Sequence, residues 1–173
     1  MSASVLFVCT ANVCRSPVAQ GIFGRAFPEW SVASAGVRAE AGLPMHPLSS
    51  AELAGRGAEL PGFASSPVTA HGMRRAAAVI TMSRAELREA LRVDPTALHR
   101  TATLGEVRRA AREHGGDLAE LVRRVIAGRT AARPAEDIAD PLGGPAAVAA
   151  AVAAVAAAVD EVVAALGSVR AQR

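Results

Sequence analysis

The residues whose types and spacing suit chemistry lie together near the start of the chain, in Val5-Leu6-Phe7-Val8-Cys9-Thr10-Ala11-Asn12-Val13-Cys14-Arg15-Ser16-Pro17. An apolar run of strand type leads straight into Cys9. After five intervening residues come Arg15, Ser16 and a proline that suits the first turn of a helix. A free thiol is mostly protonated at neutral pH, but beside a helix N-terminus and a guanidinium the pKa of such a group falls to about 3.5–7.5. The amides of residues 10–16, curled around one centre, would form an anion nest at a helix start. Arg15 offers a planar fork that matches two phosphoryl oxygens, which a lysine does not. Ser16 can donate to the Cys9 sulfur, and Asn12 tolerates left-handed backbone. This is an arrangement for holding a phosphate dianion over a thiolate. The plainer reading makes Cys9 a small buried hydrophobe that ends a strand, and it leaves Asn12 and Arg15-Ser16-Pro17 unexplained.

The elements that must position this loop follow from pattern. Val5–Val8 reads as a strand buried on both faces, and Pro17–Phe27 as a helix with Val18, Ile22, Phe23 and Phe27 at helical spacing. Trp30–Ser34 alternates as a strand and runs into Ser34-Ala35-Gly36, followed by the Gly/Pro-rich segment 42–47. Leu48–Gly57 reads as a helix. Ala76–Met82 is a second apolar strand run, after which Ser83 can cap a helix over Arg84–Arg92. Thr101–Leu104 suggests a short strand, Glu106–Gly115 and Asp117–Gly128 read as helices, and Arg133–Gly144 as a loop. The last helix begins at Pro145. Its Val148, Val152, Val155, Val159, Val162 and Leu166 make a 4-3-4-3-4 stripe about 30 Å long. Alternating strands and helices predict a single-domain α/β three-layer sandwich over residues 1–173, a four-stranded parallel sheet with helices on both faces. Ligands in such folds sit at the carboxyl ends of strands, where Cys9 falls.

Composition narrows the setting. The chain has 173 residues, no tyrosine, and 19 basic residues that are all arginine, a bias expected of a GC-rich bacterial genome. Net charge is only +3, with no basic run interleaved with aromatics, so nucleic acid is not the expected partner. The two cysteines lie five apart, the usage of a reducing compartment with a reactive thiol. The start of the chain lacks a basic signal-type region. The longest uninterrupted apolar run, Ala146–Val159, has 14 residues, fewer than the roughly 20 that cross a bilayer. These features predict a cytoplasmic protein without a membrane span. His46, His71, His99 and His114 are scattered without metal-ligand spacing, and no metal or cofactor is expected.

Val8-Cys9-Thr10-Ala11-Asn12-Val13-Cys14-Arg15-Ser16-Pro17 resembles the phosphate-binding loop of the low-molecular-weight protein tyrosine phosphatases. Ser34-Ala35-Gly36 resembles the family's motif at the end of its second strand, Ala78–Met82 its third strand, and Asp137-Ile138-Ala139-Asp140-Pro141 its general-acid loop. The resemblance implies a four-stranded parallel sheet and hydrolysis of phosphotyrosine in proteins, with a tyrosine kinase or its target as the phosphorylated partner. It implies that Cys9 attacks phosphorus and forms a phosphocysteine, and that Asp140 protonates the leaving oxygen and then activates water. Phosphate would be held by Thr10, Ala11, Asn12, Val13, Cys14, Arg15 and Ser16, with Arg15 also stabilising the transferring group. Asn12, Ser16 and Ser34 would support the loop. Cys14 would be the redox partner that traps Cys9 as a disulfide.

The chain departs from that family at three places. Ala11 stands where glycine is usual, Leu142 where an aromatic follows the Asp-Pro pair, and no histidine near Phe63-Ala64-Ser65 matches the usual partner of the loop asparagine. Three other readings use the same residues. An arsenate reductase of this fold would need a small-thiol reductant, because no cysteine follows Cys14. A protein arginine phosphatase would usually carry threonine at Val13. A non-catalytic phosphoprotein-binding module would fit the missing aromatic wall.

Overall fold

One sheet organises the described residues, which in this computed structural model are 4–129 and 136–170, the side chains of 168–170 excepted. Its strands are β1 (Ser4–Cys9), β2 (Ser31–Gly36), β3 (Ala78–Thr81) and β4 (Thr101–Thr103), in the spatial order β2-β1-β3-β4 and all parallel. Parallel neighbours require crossovers, and helices supply them: α1 (Arg15–Ala26), α2 (Pro47–Gly55), α3 (Ala70–Arg75), α4 (Arg84–Val93), α5 (Leu104–His114), α6 (Leu118–Ala127) and α7 (Pro145–Arg170). The chain leaves β1 towards β2 on one side, while β3 lies on the other. The strand order therefore reverses at β1, and the carboxyl end of this strand is the place where open α/β sheets bind ligands. Cys9 is its last residue.

The pleat divides β1 between two cores. Val5, Phe7 and Cys9 face a larger core shared with α1, α5, α6 and α7, and Leu6 and Val8 face a smaller one with Met73, Ala90 and Ala97. The expected three-layer arrangement is thus present. Phe7, Phe23, Phe27 and Trp30 form one aromatic cluster with ring centroids 4.8–6.0 Å apart, so all the chain's aromatics but Phe63 pack together in the core.

The structure corrects several boundaries. Helix α1 starts at Arg15, not Pro17. The proline is tolerated there because the first helical N–H groups have no intrahelical partner to lose. Strand β2 runs on to Gly36, and α5 starts at Leu104 because Thr103 and Glu106 form a capping box across its first turn. Two short elements had no counterpart in the sequence pattern. Helix α3 is capped by Thr69, which accepts the Gly72 amide at 3.0 Å, and a 3-10 turn over Pro95–Arg100 is capped by Asp94. Each is too short to show a period. Of the loop expected over 133–144, residues 137–144 are irregular and 133–135 lie outside the described residues.

Helix α7 buries the expected stripe: Val152, Val155, Val159, Val162 and Leu166 are all 6% exposed or less, while Val148 packs at the edge of the core. Counting an unbroken apolar run understated this helix. Pro145–Gly167 has a mean hydropathy of 2.0 in its best window, long and apolar enough to cross a membrane by length and composition. Here its valine face instead packs on α1 and α5, closing the larger core.

Candidate active site

Residues 10–14 turn between β1 and α1 around the Cys9 sulfur. The Asn12 amide donates to Cys9 Sγ at 3.3 Å, and Ser16 Oγ lies 3.0 Å from the same atom. Ser16 Oγ also accepts from Asn12 Nδ2 at 3.0 Å and lies within bonding distance, 3.3 Å, of the Ala35 carbonyl. Its one proton is therefore available to the sulfur or to Ala35.

Asn12 sets the shape of the loop. It is fully buried and adopts φ 55°, the left-handed region that asparagine enters more readily than most residues. Its side chain makes three hydrogen bonds: Nδ2 donates to Ser16 Oγ and to Ser34 Oγ (2.8 Å), and Oδ1 accepts the Ser66 amide at 2.8 Å. Ser34 passes the chain on, donating to Gln20 Oε1 at 2.6 Å. The backbone amide of Ser66 thus serves the asparagine where no histidine was found near Phe63-Ala64-Ser65. Gly36 lets β2 approach this loop. A Cβ at that position would lie 2.6 Å from the Thr10 carbonyl and 2.8 Å from the Asn12 amide, closer than any side chain could sit. Further amides tie the loop to its surroundings, Val37 to the Cys9 carbonyl, Arg38 to Thr10 and His46 to Val13.

Arg15 is 1% exposed, and its guanidinium links four groups. Nη1 donates to the Ile138 carbonyl at 2.7 Å, and Nη2 reaches Thr10 Oγ1 at 3.2 Å, Asp140 Oδ1 at 2.7 Å and Glu86 Oε1 at 2.9 Å. Sequence reasoning missed Glu86. It lies in the first turn of α4 with its side chain 4% exposed, accepts the Thr10 hydroxyl at 3.0 Å and is bonded by the Ser83 hydroxyl. The available signal was Ser83-Arg84-Ala85-Glu86, which has capping-box spacing. That motif locates a helix start and says nothing of a distant arginine.

Asp140, the other carboxylate on Arg15, lies 125 residues further along the chain with its side chain 44% exposed. Leu142, just beyond Pro141, is 90% exposed and stands away from any wall. The structure therefore gathers Cys9, Asn12, Arg15, Ser16, Ser34 and Asp140 at one end of the sheet. Cys14, half-buried at the N-cap of α1, belongs to the same loop. Burial pushes its thiol above the ordinary value, against an opposing bond from Ser49, with the neighbouring Cys9 pushing it up further.

A thiol in a tight loop at a helix start, a buried arginine beside it and a carboxylate bonded to that arginine define a thiol-dependent phosphoryl-transfer site on a parallel α/β sheet. The family comparisons agree with this class. Residues 4–128 match the model described as low molecular weight phosphotyrosine protein phosphatase, and the chain belongs to that family. It is 33% identical over 107 residues to the probable low molecular weight protein-tyrosine-phosphatase EpsP of Ralstonia solanacearum, covering 62% of this chain and 74% of that protein. It is 30% identical over 106 residues to the low molecular weight protein-tyrosine-phosphatase Etp of Escherichia coli, covering 60% and 70%. Among solved structures, the tyrosine phosphatase AmsI of Erwinia amylovora superposes with a TM-score of 0.72 at 24% identity, over 96% of this chain and 94% of that one. The YwlE arginine phosphatase of Geobacillus stearothermophilus gives 0.72 at 25% identity, over 99% and 97%.

Proposed function

We propose that this protein hydrolyses phosphotyrosine in phosphorylated proteins, in the cytoplasm, without metal or cofactor. One observation carries the reading: a sulfur that accepts the Asn12 amide and touches Ser16 shares a loop with a buried arginine, and an acid contacts that arginine. In the first step Cys9 Sγ attacks phosphorus as the P–O bond to the leaving group breaks. Asp140 gives its proton to the departing oxygen, so the phenol leaves neutral and a phosphocysteine remains. In the second step Asp140 takes a proton from water, water attacks phosphorus, and the thiolate departs with inorganic phosphate formed. The amides of Thr10 to Ser16 and the Arg15 fork hold the equatorial oxygens in both steps, where charge is greatest in the transition state.

Arg15 Nη2 donates to Asp140 Oδ1 at 2.7 Å, which keeps the acid beside the group that would hold the phosphate. Asn12, Ser16 and Ser34 support the loop. Once a peroxide has oxidised Cys9 to its sulfenic acid, Cys14 is the thiol that attacks it, releasing water and closing a Cys9–Cys14 disulfide.

The test is hydrolysis of phosphotyrosine peptide and aryl phosphate by the purified protein and its Cys9→Ser variant. Turnover by the wild type that is lost in the variant is expected, and undiminished turnover in the variant would remove the mechanism. Asp140→Ala should slow the release of poor leaving groups by about 10²–10⁴-fold while vanadate still binds. Because one structural relative is an arginine phosphatase, phosphoarginine belongs in the same assay. Valine at position 13 leads us to expect the tyrosine ester to be preferred.

A further inference from the structure

The acid Asp140 sits on a loop whose tip is exposed, yet its carboxyl must meet a leaving oxygen to within a fraction of an ångström. Three consecutive residues at the root of the loop attach it to three different elements. The Glu136 carboxylate accepts Arg109 Nε at 2.8 Å, and its backbone rests on Gly105 so closely that a Cβ there would lie 2.1 Å from the Glu136 carbonyl oxygen. Asp137 Oδ1 accepts the backbone amide of Arg84, the first residue of α4, at 3.2 Å, with the Arg84 guanidinium 3.9 Å away. The Ile138 amide donates to the Met82 carbonyl at 2.9 Å, while its own carbonyl receives Arg15. A single residue then separates Ile138 from Asp140.

The first turn of α4 is thus a common anchor. It holds Arg15 from one side through Glu86 and holds the root of the acid loop from the other through the Arg84 amide. A carboxylate is favoured at such a helix start. Otherwise the location suits it poorly: burial raises the Asp137 carboxyl above its ordinary value, the Arg84 amide and charge oppose that, and Glu86 and Glu106 add to it. A carboxyl kept where its charge is disfavoured is more readily explained by geometry at the site than by stability.

We propose that Asp137 is a positioning residue that, by clamping the loop root to the Arg84 amide at the start of α4, places the Asp140 carboxyl over the Cys9 loop. The proposal rests on the phosphatase reading above. It requires that Asp137 act through the two proton transfers of Asp140, to the leaving oxygen and from water, since this carboxylate itself contacts neither phosphate nor sulfur.

Two aryl phosphates separate these effects. Phenyl phosphate releases a poor leaving group that needs the proton, whereas 2,4-dinitrophenyl phosphate releases one that does not. In Asp137→Ala, kcat/KM, which reports the steps up to the phosphocysteine, should fall about tenfold for phenyl phosphate, a fraction of a general acid's full worth, with less than about a twofold change for the dinitrophenyl ester. Asp137→Asn keeps an acceptor oxygen for Arg84 and should restore most of the loss. In an Asp140→Ala background, Asp137→Ala should cost phenyl phosphate turnover nothing more, because the two act as one unit. Equal losses on both esters, or a further loss in the Asp140→Ala background, would overturn the proposal. Should Asp137→Ala not fold, Asp137→Ser reads the same selectivity. Wild-type protein that turns over neither ester would instead remove the phosphatase reading itself.

Discussion

Arg15 and Glu86 meet at 2.9 Å with their side chains 1% and 4% exposed, an ion pair almost wholly withdrawn from water and 71 residues apart in sequence. A buried guanidinium needs a counter-charge and hydrogen-bond acceptors at every N–H. Glu86 supplies the buried counter-charge and one acceptor, Ile138, Thr10 and Asp140 supply further acceptors, and the Glu86 oxygens are also taken up by Thr10 and Ser83. The arginine is therefore held before any phosphate arrives, which lowers the ordering cost at binding. Replacing Glu86 by alanine should cost about 3–5 kcal/mol in a urea titration and weaken vanadate inhibition about tenfold or more. Unchanged inhibition would mean that the loop alone orients Arg15.

Asn12 combines a left-handed backbone with four hydrogen bonds, three from its side chain and one from its amide to sulfur. Asn12→Gly keeps the backbone conformation and loses the side-chain bonds, while Asn12→Ala loses both. The alanine variant should be the less stable by about 1–2 kcal/mol, the cost of left-handed geometry for a residue with a Cβ. Denaturant midpoints for the two variants measure the difference, and equal midpoints would refute the strain argument.

Gly36 is required by proximity, since its φ lies outside the left-handed region. Gly36→Ala drives a methyl into the Thr10 carbonyl and the Asn12 amide, so the loop must shift. Phosphate affinity should fall more than stability does, because the displaced loop carries the amides that would hold the anion. Isothermal titration with vanadate, set beside a thermal melt, distinguishes the two.

Glu106 makes stability depend on pH in one direction. Burial pushes its carboxyl up, but the Arg129 bond, the Thr103 amide and the charges of Arg129 and Arg84 together hold it below the ordinary value of 4.5. A carboxylate lowered in the folded state contributes its full stability above the unfolded value and loses it as pH falls through the folded one. Urea midpoints should therefore decline as pH drops below 4.5, and Glu106→Gln should flatten part of that decline. An unchanged slope in the variant would place the acid sensitivity elsewhere.

The raised Cys14 thiol predicts slow chemistry at neutral pH. In a Cys9→Ser variant, alkylation of Cys14 by iodoacetamide should rise only as pH passes the ordinary thiol value of 9.0, since the thiolate is the nucleophile. Fast alkylation at pH 7 would contradict this.

Much of the site was legible locally. Cys9, Asn12, Arg15, Ser16 and Pro17 lie in one short segment, and a strand, a turn and a helix start are enough to bring them around one centre. Asp140 came from resemblance, and the structure sets it 2.7 Å from Arg15. Helix α7 was legible from its valine stripe, whereas α3 and the 3-10 turn were too short to leave a period.

Two matching motifs mark where the sequence stops. Ser83-Arg84-Ala85-Glu86 and Thr103-Leu104-Gly105-Glu106 both carry a hydroxyl residue three positions before a glutamate, and both start a helix as that spacing requires. Glu106 closes its capping box on the Thr103 amide at 2.9 Å. Glu86 turns away from its own backbone to Arg15. Local propensity determined both helix starts, because capping involves only neighbours in the chain. The partner of Glu86 was decided by sheet order, because setting β3 beside β1 brings the first turn of α4 against the Cys9 loop, where a buried guanidinium requires an anion more than a helix requires its second cap.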